Sequence, residues 1–450
     1  MKKELLLLAV SVFTLMGFNV FGQEAANQEP QKNIRTGWTF GALPSISFDA
    51  DLGFQYGALC NIYYFGDGST YPEYLHSFYV EASNTTKNYA LFRLSYDSKY
   101  LIPNHRLSVD LSYMPDALCD FYGYNGYQSV VHSEWINEKD AAYFSPAFYK
   151  MGRDIFRFSA DLQGNIKGSW YWNVGLGILN YSVGGVNIDK IYDDATLTDT
   201  SLYSLYVENE LIKANEKNGG FNPYIHGGVT YDTRDRQQNP HRGVHADAFL
   251  TYNAAFGDQQ EYNNIKFNAA WRHYIPVFGN SVTFAYRAGT QLLLAGQSPF
   301  YTNNYMNQLY MQRAIYEGPG GANSVRGIMR NRILANGFAY ANAEMRIQLV
   351  RFKVKKENFY IGINPFVDGG MVLQPMEEIK DLSFSTTDNS RFRQSVDPLQ
   401  SIYAPPFSGG CGLKIAMNDN FVVSVDWAMP FKEQDNYKNS NIYVKIGYMF

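Results

Sequence analysis

The stretch FVVSVDW, Phe421–Trp427, decides the fold. Phe421, Val423, Val425 and Trp427 alternate with Val422, Ser424 and Asp426, the period of two that gives a strand one apolar and one polar face. HRLSVDLSY, residues 105–113, repeats the pattern, with Leu107, Val109, Leu111 and Tyr113 set against Ser108, Asp110 and Ser112. Half of a soluble sandwich also reads this way, so the number and length of the strands must choose.

Segments of this kind are expected near 36–47, 52–64, 74–83, 89–99, 104–113, 152–163, 170–182, 223–231, 243–254, 262–273, 280–293, 336–349, 358–367, 408–417, 420–429 and 441–449. That is about sixteen strands of roughly ten residues, the length at which a tilted strand crosses a bilayer. If the first strand starts in the periplasm, the longest connections, 114–151, 183–222, 294–335 and 368–407, all fall on the outer side. Turns on the other side, as at 164–169 and 418–419, are short. Outer-membrane barrels have that asymmetry and a sandwich has no cause to show it. The expected fold is an all-β, transmembrane antiparallel barrel.

Composition agrees. Aromatic residues make up 16% of the chain and charged residues only 18%, with 36 Tyr, 31 Phe and 38 Gly, whereas a soluble domain carries about a quarter charged residues. The chain opens with Lys2 and Lys3, an apolar run from Leu5 to Val20, and small or turn-type residues around Gly22. This is the pattern of a secretory signal peptide rather than of a lasting membrane anchor. The expected division is a signal peptide over 1–22, a short periplasmic segment over 23–34 and a barrel over 35–450. No other apolar stretch approaches the roughly 18 residues of a spanning helix, which excludes a helical membrane protein.

Nothing in the chain points to a cofactor or a metal. Cys60 and Cys411 fall in strand-like segments and Cys119 in a loop, which gives neither a disulfide framework nor a zinc site. His241 and His245 flank Arg242 and Gly243 at a turn, without the helical geometry that makes such a spacing a metal site. A net charge of −4 and the lack of a basic run give no reason to expect a nucleic-acid partner. There is no Gly-x-Ser-x-Gly elbow and no convincing His, Ser and acid set, so no enzyme activity is expected.

The stretch GPGGANSVRGIMRN, residues 318–331, is unusual among these strands: rich in glycine, with Arg326 bracketed by Val325 and Ile328. It is similar to the lid-loop tip of the BamA/TamA family, also called the bacterial surface antigen family, whose members fold a long outer loop back into the barrel lumen. Gly320, Gly321, Val325, Arg326 and Gly327 match that tip, with Ile328 where the family usually has Phe or Tyr. YDTRDRQQNPHRG resembles the family's periplasmic turn through Asp232, Arg234, Asp235, Pro240 and Gly243. Gly410, Gly412, Leu413, Lys414, Asp426, Ala428 and Pro430 resemble its closing hairpin. The likeness is strongest from about 223 to the end of the sequence.

Alternation assigns the faces without borrowing from the family. In the segment at 336–349, Ala339, Ala341, Ala343, Met345, Ile347 and Leu349 are apolar, which puts Asn342, Glu344, Arg346 and Gln348 inside. In the next, Ile361, Ile363 and Val367 face out, which puts Asn364 and Asp368 inside. Arg326 is therefore expected to pair with Asp368, with Glu344 close by, and to pin the loop in the lumen. A guanidinium suits this because its flat fork accepts a carboxylate on each edge.

The seam is the second expectation. Gly37, Gly41 and Pro44 weaken the first strand, because proline removes a ladder hydrogen bond and glycine packs poorly. Such a strand either simply frays or leaves an openable edge that could template a client strand. The last nine residues, IYVKIGYMF, place Ile442, Val444, Ile446, Tyr448 and Phe450 on one face, with Gly447 on the other. An apolar final strand ending in an aromatic resembles the carboxy-terminal signal of outer-membrane proteins.

The resemblance implies insertion, assembly or translocation of client outer-membrane or surface proteins among outer-membrane lipids. Family members usually carry periplasmic POTRA domains before the barrel, and here only about a dozen residues are expected between signal and first strand. A separate periplasmic or lipoprotein partner is then implied. The competing reading is a passive or dedicated export channel, for which a plugged lumen is a poor fit.

Overall fold

The computed structural model describes residues 34–450 apart from 72, 193–199, 238, 280, 307–317, 356, 377–389, 419–420 and 433–440. The expected signal peptide and residues 23–33 lie outside the described residues. The chain forms one antiparallel sheet of seventeen strands. In order these are β1 (Trp38–Pro44), β2 (Ser47–Asp49), β3 (Gly53–Tyr64), β4 (His76–Thr85), β5 (Ala90–Ile102) and β6 (His105–Asp120). There follow β7 (Lys150–Lys167), β8 (Trp170–Gly184), β9 (Gly219–Asp232), β10 (Gly243–Asn253), β11 (Asn264–Phe278) and β12 (Val282–Gly296). The last five are β13 (Gly337–Val354), β14 (Glu357–Gln374), β15 (Phe407–Met417), β16 (Phe421–Pro430) and β17 (Asn441–Ile446). β1 and β2 both pair with β3 and are two halves of one barrel strand, so the sheet closes as a sixteen-stranded barrel.

The alternation read in the sequence appears as burial turned inside out. On β16 the Asp426 carboxylate side is 0% exposed while Trp427 is 44% exposed. Asp110, Arg157, Arg287 and Glu344 are likewise buried, and Leu176, Ile225 and Leu250 are exposed. Water would make such a surface costly, because burying charge and exposing large apolar side chains reverses the usual preference. A hydrocarbon surround makes it the stable arrangement.

The four long connections, between β6 and β7, β8 and β9, β12 and β13, and β14 and β15, share one end of the barrel. There they build a cap with its own core, in which Phe121, Trp135, Phe148, Tyr206, Phe300 and Phe392 pack together. Strands run on into this cap: Cys119, expected in a loop, pairs with Met151 at the end of β6. Backbone groups carried past the membrane find ladder partners there instead of water.

At the short-turn end, the chain after Asp232 folds under the barrel. Asn239, Pro240 and His241 are buried, with Asn239 Nδ2 donating to Tyr360 Oη at 3.0 Å and His241 Nδ1 lying 3.1 Å from Thr283 Oγ1.

The seam departs from expectation in one respect. β17 stops at Ile446, and Gly447 takes φ +92°, a left-handed conformation that glycine adopts without a Cβ penalty. Tyr448 and Phe450 therefore do not continue the outer face of Ile442, Val444 and Ile446. They turn inward, where Tyr448 Oη is 3.2 Å from Tyr360 Oη and Arg346 Nη2 donates to the Phe450 main-chain oxygen at 2.5 Å. The ladder that closes the barrel pairs Tyr443 with Asp49 and Val444 with Phe48. Among the described residues β1, which carries Gly41 and Pro44 and follows Gly37, has no strand on its β17 side. Trp38 and Phe40 are exposed along it.

This register makes a direct prediction. Directly opposed residues in an antiparallel pair lie within disulfide reach. With Cys60, Cys119 and Cys411 replaced by alanine, cysteines at Phe48 and Val444 are expected to cross-link on mild oxidation, seen as a reducible mobility shift of the folded barrel. Cross-linking only at a pair shifted by one residue would refute the closing register.

Candidate functional site

Residues 318–335 lie against the inner wall, and the tip is shaped by its own glycines. Gly321 N donates to Ile328 O at 2.8 Å, and Ser324 Oγ both accepts from Gly320 N at 2.9 Å and donates to Gly320 O at 2.8 Å. Gly320 has φ +128°, and a Cβ there would lie 2.0 Å from Met329 O, so no other residue fits. Val325 and Ile328 pack with Ile333, Phe338, Tyr340 and Val372. The isoleucine that replaces the family's aromatic thus sits in an apolar cluster of its own.

That fold delivers Arg326 to the wall. Its Nε donates to Asp368 Oδ2 at 2.8 Å and its Nη2 to Asp368 Oδ1 at 3.1 Å, a two-pronged contact, while its backbone N–H donates to Oδ2 at 3.1 Å. Nη1 donates to Glu344 Oε2 at 3.3 Å and to Asp426 Oδ2 at 3.4 Å. The guanidinium carbon lies 3.5 Å from the centroid of the Phe366 ring, a cation on an aromatic face. Arg326 is 0% exposed.

Three strands, β13, β14 and β16, supply these partners in register, with β15 between the last two. On β13 and β14 Asn342 faces Asp368 and Glu344 faces Phe366, while Gly412 on β15 faces both Asn364 on β14 and Asp426 on β16. A Cβ at Gly412 would meet Asp426 Oδ1 at 2.0 Å and Asn364 Oδ1 at 2.1 Å, so this glycine is the space into which the polar groups lean. The carboxylates are shared with other cations: Arg346 Nε donates to Glu344 Oε1 at 2.8 Å and Lys414 Nζ to Asp426 Oδ1 at 2.5 Å.

Sequence reasoning reached Arg326, Asp368 and Glu344 as a set and did not identify the third carboxylate. Asp426 was legible from the alternation of β16, which places it on the same face as Ser424. Two further lid arginines were also missed. Arg330 Nη2 donates to Asp116 Oδ2 at 2.6 Å on β6, and Arg332 donates to the carbonyls of Gly126 at 2.5 Å and Ser129 at 2.6 Å in the cap. Three arginines within seven residues of a weakly charged chain were the available signal.

The lid also touches the seam. Gly327 N donates to Tyr443 Oη at 3.1 Å and Lys445 Nζ to Ala322 O at 3.1 Å, both partners standing on β17. Across the seam, Ala50 packs against the cluster that contains Ala322 and Tyr443.

The turn motif stands apart, at the other end of the barrel. Arg234 grips Asp232 through Nε at 2.9 Å and Nη2 at 2.7 Å, and Asp235 Oδ1 accepts from the backbone of His241 at 3.0 Å. Gly243 has φ +103° where the chain re-enters the sheet. These contacts hold the inward fold of 233–242 and do not reach the lid. Among the described residues no His, Cys, Asp and Glu group is arranged to hold a metal ion.

Comparison with known proteins agrees with the barrel fold. The model of the Omp85 superfamily domain matches residues 61–450. BamA from Haemophilus ducreyi lacking POTRA domains 1–3 superposes with a TM-score of 0.54 at 14% identity, over 98% of this chain and 78% of that one. CdiB from Escherichia coli superposes with a TM-score of 0.53 at 11% identity, over 90% of this chain and 62% of that one. At such identities the likeness speaks for the fold. No curated protein sequence matches the chain.

Removing one partner from a buried ionic cluster leaves uncompensated charge, at a cost of about 3–5 kcal/mol in dry surroundings. Arg326→Ala is therefore expected to expose 318–335 to protease and to lower the temperature at which the barrel loses its folded gel mobility. Arg326→Lys keeps the charge but not the fork, and should fall between the two. A lysine variant as resistant to protease as the parent protein would sink the pinning model.

Proposed function

The chain belongs to the Omp85 superfamily, and from that premise we propose that it is an outer-membrane barrel whose work is conformational: inserting, assembling or translocating client proteins. In this reading the capped end faces outward and the short turns face the periplasm. The observation that carries it is the pairing of a thin seam with a lid tied to that seam. Among the described residues two residue pairs close the barrel, while the Arg326 loop bonds to the last strand.

The β17-side edge of β1, which has no strand beside it among the described residues and lies next to an inward-turned C-terminal segment, is where an extended client segment would add by backbone hydrogen bonding. A passive pore is the poorer fit, because its lumen would hold water and not a packed loop. The buried charges hold the lid, and no catalytic role is assigned to them.

Depleting the protein in its native host and measuring folded outer-membrane barrels and surface proteins against total synthesis tests this. Many barrels are expected to fall together, to recover with the parent chain, and to recover with the Phe48 and Val444 cysteine pair only when it is reduced. Full rescue by the oxidised pair would exclude a working seam. Loss of one surface protein or none would indicate a dedicated exporter or a channel.

A further inference from the structure

β13 runs past its neighbour β12 at the short-turn end, while β14 keeps β15 beside it almost to its first residue. On the β12 side the ladder ends where Val282 meets Ile347, with one further bond from Gln348 N to Ser281 O. On the β15 side it ends where Phe359 meets Met417, braced by Asn418 N donating to Asn358 O. Beyond the β12 ladder the β13–β14 hairpin continues, pairing Val350 with Ile361, Phe352 with Phe359 and Val354 with Glu357, while β15 stays beside β14 as far as Phe359. Among the described residues the β12-side edge of Leu349–Val354 thus extends roughly 17 Å without a strand beside it.

A register shift between Gln348 and Val350 leaves Leu349 as an extra residue, and this bulge sets which side chains face the lipid. Without it, Leu349, Arg351 and Lys353 would continue the outer face of Ile347. With it, Val350, Phe352 and Val354 do, opposite Ile361 and Phe359. The Phe352 and Phe359 rings stack at 5.6 Å and 12°. Phe352 is 40% exposed, and at the adjoining end of β11 Phe278 is 72% exposed. Arg351, Lys353 and Lys355 lie exposed on the other side and at the tip. Glu357, the one acidic residue in 349–358, accepts a hydrogen bond from Asn418 Nδ2.

We propose that this hairpin end is an interfacial anchor that binds the anionic phospholipid headgroups of the periplasmic leaflet. Two observations favour a lipid surface. The apolar face is continuous with the barrel's lipid-facing band, so it enters the headgroup layer without any rearrangement. The cations sit along the free β12-side edge of β13 and at the hairpin tip, and long basic side chains at that depth reach round to phosphates while their stems cover apolar surface. The basic tip also suppresses edge-to-edge strand pairing. An acidic protein partner would use the cations but would leave Phe278, Phe352 and Val354 unexplained.

The test is amide hydrogen exchange of residues 349–355 in the full chain, folded into vesicles of phosphatidylcholine alone or mixed with phosphatidylglycerol. Gel mobility before heating establishes that each barrel is folded. Each surface cation near an anionic membrane contributes roughly fivefold to retention, so three give on the order of a hundredfold. Exchange at Leu349–Val354 should slow markedly when phosphatidylglycerol is present. The Arg351→Gln, Lys353→Gln, Lys355→Gln triple variant should lose that dependence, and Phe352→Ser with Val354→Ser should lose protection in both vesicles. Equal exchange in the two compositions would overturn the proposal. So would protection that ignores lipid charge and follows added polyglutamate, which would assign the hairpin end to an acidic polypeptide. None of these readouts depends on what the seam does.

Discussion

A guanidinium set where water does not reach must be answered by the wall around it, and the lumen is organised to answer Arg326. Alternation on β13, β14 and β16 aims Glu344, Asp368 and Asp426 at one point. Gly412 gives up its side chain so that two of the polar groups can converge, and Phe366 offers a flat face beneath the cation. A buried ion cluster of this kind is not in itself a stabilising device compared with an apolar core of equal volume. What it supplies is position: a loop with many apolar ways to collapse has one place where its charge is satisfied.

That placement matters most at the seam. Each backbone hydrogen bond adds only about 1 kcal/mol net, so a closing ladder of two residue pairs is weak beside the long ladders elsewhere, such as that joining β7 to β8. The bonds from the lid to Tyr443 and Lys445 are of the same order as the ladder itself. Whatever displaces the lid therefore changes seam stability by a comparable fraction, which is the condition for two elements to share one equilibrium.

The barrel could be read from the sequence because a membrane inverts the usual burial rule on every strand, and period two survives in the residues whichever face is buried. Strand ends were less legible. β6 and β14 lengthen because their ladders with β7 and β13 run on into the cap, a tertiary effect with no local signal. The register shift at Leu349 is similar: Leu349 was assigned to the apolar face by simple alternation, and one extra residue moved the rest of the strand. Gly447 could have been read as a break in a nine-residue apolar strand, but its alternation with Tyr448 and Phe450 masked it. Asp426 lay on the right face and was not paired with the lid, because nothing in sequence spacing places β16 within reach of a loop about a hundred residues earlier.

The cluster is also asymmetric in what it leaves behind. Were the lid to withdraw, Glu344 would keep Arg346 and Asn364, and Asp426 would keep Lys414. Asp368 would keep nothing comparable, since its side-chain hydrogen bonds among the described residues all run to Arg326. An isolated carboxylate in a dry cavity is not tolerated, so withdrawal requires water to enter at the same moment. Arg346 carries the disturbance further, because it joins Glu344 to the inward-turned Phe450 and stacks over Tyr448 at 4.0 Å. The lid site and the broken end of the last strand therefore share a cation, and flooding around Asp368 reaches the segment whose inward turn leaves the β17 side of β1 without a strand among the described residues.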